Sequence, residues 1–205
     1  MRVELPYFNV ENDFGGDQHK LDRFIMRKGG CAAVTACDCC IYFELYKNIH
    51  GLYPYDLKNI SYKNYRQFTE IMTPYLHPRM MGINKLEIYI EGFKKFLSKY
   101  GVTDLKFTAW DGAENFSATK EKICAQIDDG WLIPCLTLEH KNPAMKTYVW
   151  HWFLFTGYDD EENFQVKVTT YGGYNWINFA ELWDTGIEPK GGIVLIKNLE
   201  LGMRY

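Results

Sequence analysis

Residues 31–46, CAAVTACDCCIYFELY, are apolar at almost every position, and the polar exceptions Thr35, Asp38 and Tyr42 fall three and four apart on one stripe. Only Glu44 departs from it. A helix that is apolar around most of its circumference belongs at the centre of a fold, packed on several sides. Residues 52–63, rich in Tyr, Asn and Pro, read as loop. A short helix is expected over 64–73, before the two prolines of TPYLHPRMMG, which end anything helical. In NKLEIYIEGFKKFLSKYG, residues 84–101, the apolar positions Leu86, Tyr89, Ile90, Phe93, Phe96, Leu97 and Tyr100 recur at helical spacing. Asn84 is expected as its N-cap with Glu87 three residues on, and Gly101 as the residue beyond its end. A third helix is expected from a Ser117 cap to Gly130, with Ile123, Cys124 and Ile127 inward.

From Trp131 the period changes. WLIPCLTL, TYVWHWFLFTGY, NFQVKVTTYGG, NWINF and GGIVLIKNL are short β-branched and aromatic runs separated by turn residues, which is the pattern of strands. GYDDEEN between the second and third reads as a hairpin loop. Helices first and an antiparallel sheet second make an α+β protein, and 205 residues suffice for one domain, 1–205, with a helical part to about 130 and a sheet part from about 131.

Composition removes several functions. Hydrophobic residues at 47% and charged residues at 24% are ordinary globular values. A net charge of −3 without a run of basic residues offers no footprint for phosphate backbones, so a nucleic-acid partner is not expected. No apolar run approaches the ~18 residues of a membrane helix, and MRVELPYFNVEND has no apolar signal region; no membrane partner and a cytoplasmic location are expected. Six cysteines, three of them at 37, 39 and 40, then read as reduced thiols rather than a disulfide framework.

RKGGCAAVTACDCC, residues 27–40, holds four of the six. Cys37, Cys40, Cys124 and Cys135 fall on apolar faces and read as core, and Cys39 has no evident role. Zinc usually takes two separated ligand pairs, and Cys37 with Cys40 makes one, so no metal is expected. A redox pair belongs at a helix N-terminus, and Cys37 is about two turns inside. Cys31 differs by position. It follows Gly29 and Gly30, which permit a tight turn, and occupies the first helical turn, where unpaired N–H groups and the positive end of the dipole favour a thiolate and a developing oxyanion.

A base must come from elsewhere. His19, His50, His77 and His140 lie in charged or loop segments and read as surface residues, whereas His151 opens the most aromatic strand, HWFLFTGY. On strand context alone a core histidine satisfied by a neighbour is the plainer reading.

GGCAAV opening a buried helix, followed about 120 residues later by HWFLFTGYDDEENFQVKVTTYGG, resembles the papain-like cysteine peptidase superfamily, closer to its C39-like bacterial branch than to papain. The resemblance covers most of the chain and implies a papain-like fold, with a central Cys-bearing helix packed on an antiparallel sheet. It implies Cys31 as nucleophile and His151 as general base. Laying TTYG on the family's NSWG puts Thr169 where an Asn would orient the histidine and Tyr171 where a Trp would shield it. A five-residue hairpin, Asp159 to Asn163, sets His151 opposite Tyr171 with Thr169 on its face and Thr170 pointing away, unless a bulge shifts the parity. Asn175 is the alternative orienter. The family's oxyanion-hole Gln, six residues before its Cys, is Ile25 here, and Gln18, thirteen residues upstream, is the candidate in its place. The implied activity is cleavage of a peptide or amide substrate through a Cys–His thiolate, with no cofactor. An acyltransferase on the same scaffold and an inactive binding domain are the alternatives.

Overall fold

A computed structural model describes residues 1–79 and 82–199; Met80 and Met81 of the TPYLHPRMMG connection lie outside the described residues. Three short strands, β1 (Arg2–Glu4), β2 (Asn9–Val10) and β3 (Asp13–Phe14), precede a short helix α1 (Phe24–Gly29) and the central helix α2 (Cys31–Tyr46). Next come α3 (Tyr62–Met72), α4 (Leu86–Lys99), β4 (Leu105–Asp111) and α5 (Phe116–Asp128). The remainder is β5 (Ile133–Thr137), β6 (His151–Asp159), β7 (Gln165–Thr170), β8 (Gly173–Asn178), α6 (Phe179–Trp183) and β9 (Gly191–Asn198).

Every residue of α2 from Cys31 to Phe43 is buried. At ~1.5–3 kcal/mol for each fully buried large apolar side chain, Ile41 and Phe43 together contribute about 3–6 kcal/mol. Its polar stripe is satisfied inside the protein. Thr35 donates to the Cys31 carbonyl at 2.7 Å, and Tyr42 to that of Gly130 at 2.8 Å. Asp38 accepts from the Tyr7 hydroxyl (2.9 Å), the Tyr65 hydroxyl (2.6 Å) and the Gly16 N–H (3.1 Å). One side of α2 rests on β6, and α3 and α4 cover others, with Phe43 stacked on Phe93 at 6.2 Å.

Seven strands form an antiparallel sheet in the order β4-β9-β5-β6-β7-β8, and β1 extends the β5 side of β6. The protein is therefore α+β, but its layers are not segregated along the chain, because β1 and β4 from the first 130 residues join the sheet. The stretch before His151 is also not strand: Pro143–Tyr148 is a 3-10 turn capped by Asn142.

Three helix ends differ from expectation. α3 starts at Tyr62, where Ser61 accepts from the Asn64 N–H at 3.2 Å. Lys85, not Asn84, precedes α4, with no side-chain cap, while Gly101 at φ +79° ends it as expected. α5 is capped by Asn115, which accepts from the Ala118 N–H at 2.9 Å, rather than by Ser117; Cys124 is only half-buried. Among the described residues no helix is long and apolar enough to cross a membrane.

Candidate active site

The chain breaks between α1 and α2 because Gly30 lies against the preceding turn. A Cβ there would sit 2.5 Å from the Met26 carbonyl oxygen, so only glycine lets α2 begin at Cys31. Cys31 lines two spaces. One is a narrow cleft of about 10 Å³ that it shares with Gln18, His151, Thr170 and Tyr171. The other is a cavity of about 360 Å³ whose apolar walls include Ile83, Leu136, Trp150 and Trp152.

His151 reaches the cleft from the start of β6 and is 3% exposed. Its Nε2 lies 2.7 Å from the Thr170 hydroxyl. Its ring stacks on Tyr171 with centroids 4.5 Å apart and planes 5° apart, and the far face of Tyr171 carries His19 at 4.7 Å. Tyr171 and Gly172 form the β7–β8 turn at φ +52° and +70°, the positive values that a two-residue type I′ hairpin requires. Bulky residues seldom adopt that region, and the conformation here sets the phenol over the imidazole.

The sequence assigned the orienting role to Thr169, and the geometry assigns that contact to Thr170. Thr169 pairs across from Leu154 and spends its hydroxyl on Thr156 at 2.8 Å. The reason is a bulge. Between the pairs Phe155–Val168 and Tyr158–Val166, β6 contributes Thr156 and Gly157 while β7 contributes only Lys167. One extra residue flips the parity of everything beyond it. Gly157 is also the residue that lets β1 approach, since a Cβ would meet the Val3 carbonyl at 2.7 Å. A glycine inside a strand pattern is the sequence signal that marks such a bulge. Asn175 is exposed and pairs across from Val168, and the hydrogen bond that His151 makes goes to Thr170 instead.

Gln18 does reach the cleft. A 3-10 turn, Gln18–Lys20, buries it, and its Nε2 donates to the Arg27 carbonyl at 3.2 Å. Its Oε1 is buried without a partner among the described residues. The segment carrying Gln18 is tied down at Gly16, whose N–H donates to Asp38 and whose carbonyl accepts from Gly172 at 3.1 Å. A Cβ on Gly16 would collide with the Tyr65 hydroxyl.

Burial dominates the electrostatics. Desolvation raises the Cys31 thiol above its ordinary value, partly offset by backbone groups of Trp152, Ala32 and Cys31 itself. Desolvation, helped by the nearby His19, pushes His151 down to about 3. Both shifts favour the neutral thiol and neutral imidazole in this closed arrangement, rather than a standing thiolate–imidazolium pair. Asp38 is pushed up to about 6 by burial against the pull of its three donors. All six cysteines are free, and among the described residues no three of His, Cys, Asp and Glu converge on a possible metal position.

Comparison of the chain with protein-family models, curated proteins and solved structures yields no significant match.

Proposed function

We propose that the protein is a papain-like thiol hydrolase of the C39-like kind, a cysteine peptidase or amidase that cleaves a peptide or amide bond. A buried Cys-bearing helix packed on an antiparallel sheet supports the papain-like fold. The observation that carries the reading is the convergence on one cleft of Cys31, at the start of that helix, and His151, held at Nε2 by Thr170 and covered by Tyr171. With Nε2 engaged, proton exchange with the thiol falls to Nδ1 and requires the two residues to close within the cleft. Among the described residues no hydrogen bond joins Cys31 to His151, and the thiol's polar neighbours are backbone groups of Trp152, Ala32 and Cys31 itself.

In this reading His151 Nδ1 takes the thiol proton as sulfur attacks the carbonyl carbon, so His151 works as a general base instead of sitting in a preformed ion pair. The oxyanion is held by the Cys31 backbone N–H, with Gln18 supplying a second donor through the amide proton not given to Arg27. His151 returns the proton to the leaving amine, leaving a thioester on Cys31. Water then attacks, His151 takes its proton, and the thiol is regenerated with release of the acid. A narrow cleft of this volume admits about one water.

The larger apolar cavity beside Cys31, walled by two tryptophans among aliphatic side chains, supports a second reading, acyl transfer, in which an amine intercepts the thioester. One experiment addresses both. Incubation with p-nitrophenyl acetate should give a mass gain of one acetyl group on Cys31, absent in Cys31→Ala and slowed ~10²- to 10⁴-fold in His151→Ala. Acetylation unaffected by either change would remove the reading. Product partition between acetate and an N-acetyl amine, on addition of a primary amine, separates hydrolysis from transfer.

A further inference from the structure

The 360 Å³ cavity has a chemistry of its own. Its walls are apolar, yet Lys28 and Arg79 stand at its edge. Both are exposed, and among the described residues neither makes an ion pair. Other basic residues of the same region are committed: Lys20 to Asp13, Arg23 to Glu70 at 3.0 Å, Arg66 to Asp22 at 3.5 Å. Arg79 is near enough to Glu91 to help lower its carboxyl and Lys28 lies over the Phe24 ring at 5.9 Å, so each cation has a weak neighbour but no carboxylate within ion-pair distance among the described residues. Another residue of the lining is fixed. Trp150 is held at φ +53° with its N–H bonded to the Leu138 carbonyl at 3.1 Å, and its indole donates to Glu139 at 3.0 Å, which occupies that carboxylate. A bulky residue kept in a strained conformation at a cavity mouth is a feature of ligand clamps.

From this we infer that the cavity binds the apolar side chain of a small N-acyl amino acid or dipeptide, whose free carboxylate is received by Lys28 and Arg79. The apolar walls hold the side chain, and the two cations read the charge. The volume is at the low end of the ~300–1,000 Å³ usual for ligand sites, which suits one or two residues and not a long peptide. This deepens the proposed hydrolase reading, because the cavity opens onto Cys31, and it names substrates ending in a carboxylate close to the scissile bond.

Binding can be read without any chemistry at the thiol. Tryptophan fluorescence of the full chain is titrated with N-acetylnorleucine, its neutral amide N-acetylnorleucinamide, and N-acetylglycine. N-acetylnorleucine should bind about tenfold more tightly than either other compound, with the advantage over the amide shrinking in high salt. In the double variant Lys28→Gln, Arg79→Gln, whose changes are both exposed, that charge preference should fall below about twofold while the preference over N-acetylglycine remains. Equal binding of acid and amide, a preference that survives in the double variant, or no saturation by any of the three overturns the inference. An inert Cys31 combined with a normal titration would sink the hydrolase reading alone.

Discussion

Thr170 and Thr169 are adjacent, chemically identical, and do different things. Thr170 holds the His151 ring at Nε2; Thr169 completes a buried hydroxyl pair with Thr156. Thr170→Val should therefore slow alkylation of Cys31 by about tenfold, part of the ~10²- to 10⁴-fold that general-base catalysis supplies. Thr169→Val should leave that rate within about twofold but lower stability by ~1–3 kcal/mol, since it orphans the Thr156 hydroxyl. Iodoacetamide kinetics and urea unfolding of both variants measure this, and the reverse pattern would return the role to Thr169. Cys31 was legible because two glycines and an apolar helix placed it, and Tyr171 because TTYG could be laid on a family pattern. Strand context alone favoured a core role for His151; its candidacy as base needed the resemblance. Thr170 was hidden by one residue of register.

At the level of elements, the α2 boundaries were readable to the residue, because an apolar stretch after a glycine pair admits few alternatives. Strand β4 was not. It lies at the sheet edge, its residues are mostly exposed or half-buried, and so it lacks the apolar run that marks β5 and β6. The strands of the first 14 residues are two or three residues long, too short for any period to show. The bulge at Gly157 was marked in the sequence by a glycine within HWFLFTGY, and its consequence was a parity, not a position. The segment carrying Gln18 is positioned by Asp38 and Gly16, which leads to a test of assembly. Gly16→Ala drives a Cβ into the Tyr65 hydroxyl and should displace this segment. Stability should fall by roughly 1–3 kcal/mol, the cost of overpacking, and the Cys31 alkylation rate should change as well. A variant with wild-type stability and wild-type thiol kinetics would show that the segment does not shape the cleft.

Across the whole molecule, the cleft sits where the central helix meets the sheet, and burial there couples protonation to folding. His151 has a folded pKa of about 3 against an unfolded value near 6.5, so the unfolded chain takes up a proton that the folded protein refuses. Its contribution to stability is intact above about pH 6.5 and is lost as pH falls toward 3. Relative to the wild type, His151→Gln should thus gain roughly 2 kcal/mol between pH 7.5 and pH 5, measured as a difference of urea unfolding free energies. Asp38 has the opposite sign. Its folded pKa near 6 lies above the unfolded value near 3.9, so its contribution is present at low pH and lost as pH rises through about 6. Because that slope is common to both proteins, the difference isolates His151; a pH-independent difference would mean that the buried ring is not held neutral. Activation of Cys31 is the central claim, and it has a built-in rival in accessibility. Cys31 is 7% exposed, whereas Cys124 is half-buried and the most open of the six. The most direct measurement is site-resolved alkylation by iodoacetamide near pH 7.5, read by peptide mass spectrometry in the wild type and in His151→Ala. The account predicts that Cys31 reacts at least about tenfold faster than Cys124 and that this lead disappears in His151→Ala. Labelling led by Cys124, or a Cys31 rate indifferent to the loss of His151, would contradict it.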